Sequence, residues 1–316
     1  MNKTATKVLA LCAAAMMTLT ACTGNAPATE EEKPSDAAST ETKDEATDKK
    51  DEDKTADASA ITGKHEITDL VLPKLAQNEL TTFNILHSET NEDFEILFNL
   101  VEGLLEKDSL DKRHPCVATE WGTEDGGLNW TFKLRNDVKW VDMNGNVKAD
   151  CVADDFLTAL EWTLNFHKND SIGTSMPCQM IKGAQEYYDY TKGLSKEEAY
   201  ALTAGEGSKF REMVAVEAPD AYTLHYTCTA EKPYFDSLMS YTTGMPMSQA
   251  MIDELGGVDG VRAMNNENMW YNGCYTMTSY IQGNEKVFTK NPMYWDTECK
   301  RFDTVTTKMV ESNDVA

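Results

Sequence analysis

Apolar and polar residues alternate from Trp130 to Leu134, and this pattern constrains the fold more than any other stretch of the chain. An alternation with a period of two predicts a strand that buries one of its faces. A further apolar stretch ends at Trp140, and Asn144-Gly145 then predicts a tight turn before the next strand. We therefore expect a sheet that packs on a core containing large aromatic side chains.

Helical patterns lie between the predicted strands. Apolar residues at helical spacing predict a helix from Asp93 to Lys107 and a buried helix from Asp154 to Leu164. A hairpin is predicted around Gly283-Asn284. Because strands and helices interleave without a strict βαβ rhythm, we expect an α/β fold with a mixed sheet rather than a doubly wound one.

The amino terminus has the layout of an export signal. Lys3 and Lys7 precede an apolar run from Val8 to Leu19, which is too short to span a bilayer but suits a secretory signal. The run ends in Leu19-Thr20-Ala21-Cys22, which resembles the lipobox of bacterial lipoproteins. This resemblance implies that residues 1–21 are a signal peptide and that the Cys22 thiol is acylated. Two acyl chains suffice for stable anchoring, so we expect a lipid anchor in the cell membrane, with the protein on its extracytoplasmic side.

The segment that follows the lipobox differs in composition from the rest of the chain. Residues 23–60 contain no aromatic residue and are rich in Ala, Thr, Glu, Asp and Lys. Such a segment buries too little apolar surface to offset its ordering entropy, so residues 22–60 are predicted to form a disordered acidic tether. Residues 61–316 are predicted to form the folded domain. The net charge of −24 argues against a nucleic-acid partner.

The cysteines of the folded domain indicate neither a metal site nor a redox motif. An even number in an exported chain is compatible with disulfides, and the pairing stays open between bridges and buried free thiols. Their wide spacing gives no Cys-x-x-Cys pair. The six residues are Cys116, Cys151, Cys178, Cys228, Cys274 and Cys299.

Several sequence blocks together resemble a known family. The stretch from Ala118 to Arg135 carries an Ala-x-x-Trp, an Asp-Gly turn and an aromatic strand that ends in Phe-x-Leu-Arg. Further matching blocks are Phe98 to Leu104, Ala153-Asp154-Asp155-Phe156, Asn272-Gly273-Cys274-Tyr275, and Lys290-Asn291-Pro292-Met293-Tyr294-Trp295. Together, and in their order along the chain, these blocks resemble the family 5 extracellular solute-binding proteins. Members of this family are the peptide-, dipeptide- and nickel-binding components of ABC importers. Cys274 departs from the pattern, because the family has proline there.

The resemblance implies a fold and a set of partners. The fold is periplasmic-binding-protein-like, of type II and similar to cluster C, with two lobes that close over a solute. The second lobe is expected in a continuation beyond Ala316, so the sequence is expected to be a fragment that holds most of the first lobe and binds peptides poorly or not at all. The implied partners are a peptide or another small solute and the permease subunits of an ABC importer. We expect a monomer.

Candidate ligand contacts also follow from the resemblance. An early strand of the first lobe borders the cleft in this family, and residues 78–84 occupy its place. The candidate contacts are Leu80, Thr81, Thr82, Phe83, Tyr241, Thr242, Thr243 and Tyr275. We expect Trp121, Trp130, Phe132 and Trp295 to pack within the fold instead of touching a ligand.

Catalytic motifs are absent from the sequence. The five histidines are scattered, and neither a His-Glu-x-x-His, a Gly-x-Ser-x-Gly nor a Walker loop occurs. We therefore expect a binding protein without cofactor or metal, and not an enzyme. Within the family, nickel complexes and other solutes remain alternatives to peptides. From a different class, a surface lipoprotein without a transport function remains an alternative.

Overall fold

A computed structural model describes residues 68–75, 79–169 and 171–311 of the 316-residue chain. The predicted signal peptide, the lipidation site at Cys22 and the tether lie outside these ranges. Among the described residues, no helix is both long enough and apolar enough to cross a bilayer.

Strands and short helices alternate along the described chain. The strands are β1 (Asp69–Leu75), β2 (Leu105–Lys107), β3 (Arg113–Pro115), β4 (Ala118–Gly122), β5 (Asn129–Leu134), β6 (Lys139–Val141), β7 (Val147–Asp150), β8 (Val216–Asp220), β9 (Thr223–Thr227), β10 (Tyr275–Ile281), β11 (Glu285–Lys290) and β12 (Thr304–Val310). The helices are α1 (Asn91–Leu97), α2 (Ala153–Leu164), α3 (Ser175–Met180), α4 (Ala184–Lys192), α5 (Lys196–Tyr200), α6 (Lys209–Met213), α7 (Phe235–Leu238), α8 (Gln249–Glu254) and α9 (Val258–Arg262). Single 3-10 turns span Ile172–Thr174 and Thr242–Gly244.

One sheet is mixed, as the sequence predicts. Its strand order is β1-β12-β11-β10, with β1 parallel to β12 and the other neighbours antiparallel. The predicted hairpin joins β10 to β11, and Gly283 in its turn has a φ of 70°, a left-handed conformation that glycine adopts without steric cost.

A second sheet is antiparallel, in the order β4-β5-β9-β8, and contains the alternating strand. Within β5, Trp130 and Phe132 are buried and the residues between and beside them are more exposed, which confirms the predicted alternation. Trp121 on β4 is half-buried against the same core. The Asn144-Gly145 turn connects β6 to β7, and these two strands form a separate hairpin.

The helix predicted from Asp93 to Lys107 is largely wrong. Helix α1 ends at Leu97, and the chain continues through a turn into β2. The later apolar residues of the stripe, Val101, Leu104 and Leu105, are buried without being helical. Gly103 lies so close to the 3-10 turn Thr242–Gly244 that a Cβ there would be 2.7 Å from the Gly244 carbonyl oxygen.

The Glu102 side chain joins several of the sequence blocks. Its carboxylate accepts hydrogen bonds from the Tyr294 hydroxyl at 2.7 Å and from the Trp295 indole at 2.5 Å. Its backbone N–H donates to the Asn272 side chain at 2.9 Å. The guanidinium of Arg135 lies 3.4 Å from the centre of the Trp295 ring. Trp295 therefore packs within the fold, as expected.

Candidate ligand-binding site

The segment predicted as a strand at the cleft border is irregular over its described residues, 79–84, so the strand prediction is wrong. Leu80 points into the core and is 7% exposed, whereas Thr81, Thr82 and Phe83 are more accessible. The Phe83 ring packs edge-on against Tyr280 of β10, with ring centres 5.2 Å apart. The segment thus packs against the mixed sheet through Phe83 without joining it.

Glu79 fixes the start of this segment to the β10–β11 hairpin. Its carboxylate lies 2.6 Å from the ammonium of Lys286, a side chain that is 1% exposed. It also accepts hydrogen bonds from the Tyr280 hydroxyl at 3.0 Å and from the Gly283 N–H at 2.7 Å. Partial burial opposes ionisation of Glu79, but the hydrogen bonds from Lys286, Gly283 and Leu80 outweigh it and hold its pKa below the ordinary value.

Asp93 holds the same segment from the side of α1. This buried carboxylate accepts hydrogen bonds from the Thr81 N–H at 2.7 Å, from the Thr81 hydroxyl at 2.5 Å and from the Ser88 hydroxyl at 3.1 Å. Within the described ranges, the N–H groups of Thr82 and Phe83 have no hydrogen-bond partner. The segment is therefore held at Glu79 and at Thr81, and the two residues that follow keep free backbone donors within the described part of the chain.

Three further candidates line one cavity. Tyr241, Thr242 and Thr243 border a cavity of about 440 Å³. The other residues of its wall come from the Ser88–Phe94 region, from the 3-10 turn and helix α3, and from the start and end of α7. These are Ser88, Phe94, Gly173, Met176, Met180, Tyr234, Ser237 and Leu238. We call this space the Tyr241 cavity.

Lys107 holds the Tyr241 ring in place. The lysine ammonium donates a hydrogen bond to the Tyr241 hydroxyl and lies 4.6 Å from the ring centre. A cation over an aromatic face is attracted by the ring quadrupole. Tyr241 keeps 48% of its surface exposed, so the ring is oriented and still accessible.

Tyr275 lies elsewhere. Its side chain is 8% exposed, and its hydroxyl donates to the Phe302 carbonyl oxygen at 3.0 Å. It borders a different space of about 300 Å³, between α1 and the mixed sheet, together with Ile96 and Phe288. The structure therefore does not bring Tyr275 together with the Tyr241 cavity, and its role as a ligand contact stays a prediction.

Sequence reasoning missed most of the wall of the Tyr241 cavity. Met176 and Met180 are four residues apart on α3 and so share one face of that helix. Tyr234 and Leu238 have the same spacing around α7. These two pairs were the features of the sequence that could have indicated the cavity wall, but apolar residues at such a spacing usually mark core positions.

The titratable groups of the described part form no metal site. No cluster of three or more His, Cys, Asp or Glu residues with suitable geometry occurs there. All six cysteines of the described domain are free thiols in this structure. Burial is the main cause that raises the pKa of Cys274 to about 12, so this thiol stays protonated at neutral pH.

Comparison with known sequences gives the family. A sequence model of bacterial extracellular solute-binding proteins, family 5 Middle, matches residues 112–316. Since this match covers more than half of the sequence, the chain belongs to the family 5 extracellular solute-binding proteins. The resemblance seen in the sequence blocks is thereby confirmed.

Relatives in the family are described as oligopeptide-binding proteins. AmiA of Streptococcus pneumoniae is 27% identical over 235 residues, which are 74% of this chain and 32% of AmiA. The periplasmic protein OppA of Haemophilus influenzae is 27% identical over 240 residues, which are 75% of this chain and 40% of OppA. The chain thus spans less than half the length of these relatives.

Solved structures confirm the periplasmic-binding-protein-like α/β fold. OppA of Listeria monocytogenes bound to peptide superposes with a TM-score of 0.63 at 20% identity, covering 79% of this chain and 44% of that one. OppA of Haemophilus influenzae in complex with RPPGFSPFR also gives a TM-score of 0.63, at 25% identity, covering 79% of this chain and 43% of that one.

Proposed function

We propose that this chain is part of a lipid-anchored, extracytoplasmic solute-binding component of an ABC importer, and that its ligand is a peptide. It acts by capture and carries out no catalysis. The relatives named above are described as oligopeptide-binding proteins, which supports the substrate class. The lipobox-like Leu19-Thr20-Ala21-Cys22 supports the anchor, and the family supports the permease as partner.

The unpaired backbone of residues 82 and 83 carries the proposal for peptides. An extended peptide laid beside an exposed stretch of backbone gains affinity from main-chain hydrogen bonds that are independent of its sequence. Lys286 holds Glu79 and Asp93 holds Thr81, so little ordering entropy is lost when a peptide pairs with the free N–H of Thr82 or with that of Phe83. The N–H of Thr81 is not available to a peptide, because it already donates a hydrogen bond to the Asp93 carboxylate.

The substrate class is tested by comparing three kinds of ligand. The processed chain, residues 22–316 with Cys22→Ser, is titrated by ligand-detected NMR with peptide pools, with metal chelates and with oligosaccharides. This method registers weak binding, which suits the expectation that the 316-residue chain binds peptides poorly. We expect saturation transfer to peptides alone. A response confined to nickel chelates or to sugars would overturn the assignment of a peptide as the ligand.

The pairing mode is tested with N-methylated peptides. Methylation of a single amide removes one hydrogen-bond donor and adds bulk toward the protein backbone. For amides that pair with the segment we expect binding to weaken by about tenfold, which corresponds to about 1.4 kcal/mol. Alternate amides should tolerate the methyl group, because successive residues of an extended strand point their N–H groups in opposite directions. Equal effects at all amides would contradict this pairing.

A further inference from the structure

The Tyr241 cavity is uncharged throughout. None of its eleven lining residues carries a formal charge, although 26% of the residues in the chain are Asp, Glu, Lys or Arg. Other cavities of the described part have charged walls, such as the one lined by Lys74 and Glu95 beside Tyr275. The chemistry of the Tyr241 cavity therefore limits what it can accept.

The wall presents apolar surface that the described residues leave uncovered. Met176 is 45% exposed, Tyr234 is 52% exposed and Tyr241 is 48% exposed. Scattered exposed apolar residues need no explanation, but apolar residues that share a concave site mark a place for a ligand or partner.

Two of the hydroxyls in the wall already have partners. The Ser88 hydroxyl donates to the Asp93 carboxylate at 3.1 Å, and the Ser237 hydroxyl donates to the Tyr234 carbonyl oxygen at 2.6 Å. These donors are consequently not available to a polar ligand group.

We propose that the Tyr241 cavity receives a large uncharged side chain of the bound peptide, either aromatic or branched aliphatic. This inference rests on the proposed function and adds the ligand's side-chain class to it. A volume of about 440 Å³ falls within the range of small-molecule sites, about 300–1,000 Å³. The cavity therefore has room for an aromatic side chain.

Charged side chains are excluded by desolvation. An ionised group that enters an apolar cavity loses its hydration, and this cost is recovered only when an opposite charge and hydrogen bonds replace the water. The Tyr241 cavity supplies no such charge from its own wall. Lys107 contacts Tyr241 and is already paired with its hydroxyl and with the Asp111 carboxylate at 3.5 Å.

The two methionines of the wall determine how strictly the cavity selects among side chains of the ligand. Met176 and Met180 have unbranched, flexible side chains that adapt to different apolar shapes and make favourable sulfur–aromatic contacts. The cavity is therefore expected to distinguish apolar from charged side chains by a large factor. It should distinguish phenylalanine from leucine by a small one.

Capped single amino acids test the cavity without needing a complete peptide cleft. The processed chain, residues 22–316 with Cys22→Ser and with ¹³C-methyl methionine, is titrated with N-acetyl-phenylalanine amide, N-acetyl-leucine amide, N-acetyl-glutamate amide and N-acetyl-lysine amide. We expect the methyl signals of Met176 and Met180 to shift with the phenylalanine and leucine probes. The charged probes should bind at least about tenfold more weakly. Equal binding of all four probes, or the absence of shifts at both methionines, would overturn the proposal.

A pair of matched variants locates the binding. Met176→Glu places a charge in the cavity wall, whereas Met293→Glu makes the same change at a methionine that is 39% exposed and outside that wall. Circular dichroism spectra check that both variants fold. We expect Met176→Glu to weaken binding of the phenylalanine probe by about tenfold or more and Met293→Glu to leave it unchanged. Equal losses in the two variants would contradict the assignment.

The outcome for the cavity is separable from the outcome for peptide capture. If the phenylalanine probe binds but no peptide does, the cavity stands and the proposed peptide function fails. If peptides bind without regard to their side chains and the probe does not shift Met176, peptide capture stands and the cavity assignment fails.

Discussion

Buried carboxylates determine local structure at several single positions, and Asp155 is an instructive case. One oxygen of this side chain accepts hydrogen bonds from the Trp140 indole and from the Val152 N–H, both at 2.9 Å. It thereby ties β6 to the start of α2. Burial nonetheless raises the pKa of Asp155 to about 6, because desolvation outweighs both hydrogen bonds.

Asp155→Asn is predicted to change how stability depends on pH. The folded-state pKa of about 6 lies above the unfolded value near 4, so the folded state binds one more proton between these values. The stabilisation from protonating Asp155 is complete below about pH 4 and is lost as the pH rises through 6. The free energy of unfolding of the native chain, relative to Asp155→Asn, should therefore fall by about 2 kcal/mol from pH 4 to pH 7.

Urea unfolding at several pH values measures this difference. Glu102, whose pKa is also raised by burial, is present in both proteins, so its contribution cancels. A difference between the two proteins that stays constant with pH would show that Asp155 titrates at its ordinary value in the folded state.

At the scale of elements, α1 shows where a sequence pattern falls short. The apolar stripe after Asp93 correctly predicts that Leu97 and Leu104 are buried, whereas Phe98 of the same stripe is 37% exposed. It cannot predict where the helix ends, since buried turns and strands also place apolar residues inward. The informative residue was Gly103, because a glycine near the end of a helical pattern often marks a close approach of backbone. By contrast β5 was predictable, because its alternation fits no helix.

Gly103→Ala is predicted to destabilise the protein. A Cβ at this position would lie 2.7 Å from the Gly244 carbonyl oxygen and 2.8 Å from the Met245 methyl carbon, so the chain must shift. Overpacking of this kind typically costs about 1–3 kcal/mol. It should also disturb the Tyr241 cavity, because Gly244 ends the 3-10 turn that carries Thr242 and Thr243.

Gly122→Ala is the matched control. No atom lies within 4 Å of the Cβ position there, so its free energy of unfolding should change by less than about 0.5 kcal/mol. Urea unfolding of both variants gives the comparison. An equal effect of the two substitutions would show that the contact between Gly103 and Gly244 does not constrain the backbone.

At the scale of the whole molecule, the blocks that carry the family resemblance contact one another. Glu102 bonds to Tyr294 and Trp295, and Arg135 stacks on Trp295. These residues therefore make contacts that hold the fold together. This explains why the blocks predicted the fold well. The Tyr241 cavity was predictable only in part, because its wall comes from short elements far apart in sequence whose residues have no motif in common.

The proposed attachment to the membrane depends on one thiol, and Cys22→Ser tests it. Only a thiol forms the thioether with diacylglycerol, so the serine variant should not take up radiolabelled palmitate. It should also leave the detergent phase on phase separation, because two acyl chains anchor stably and their loss removes that affinity. Cys12→Ser is the matched control, since Cys12 lies within the predicted signal and precedes the lipobox. We expect the control to be labelled like the native chain, and labelling of the Cys22→Ser chain would place the acyl groups on another residue.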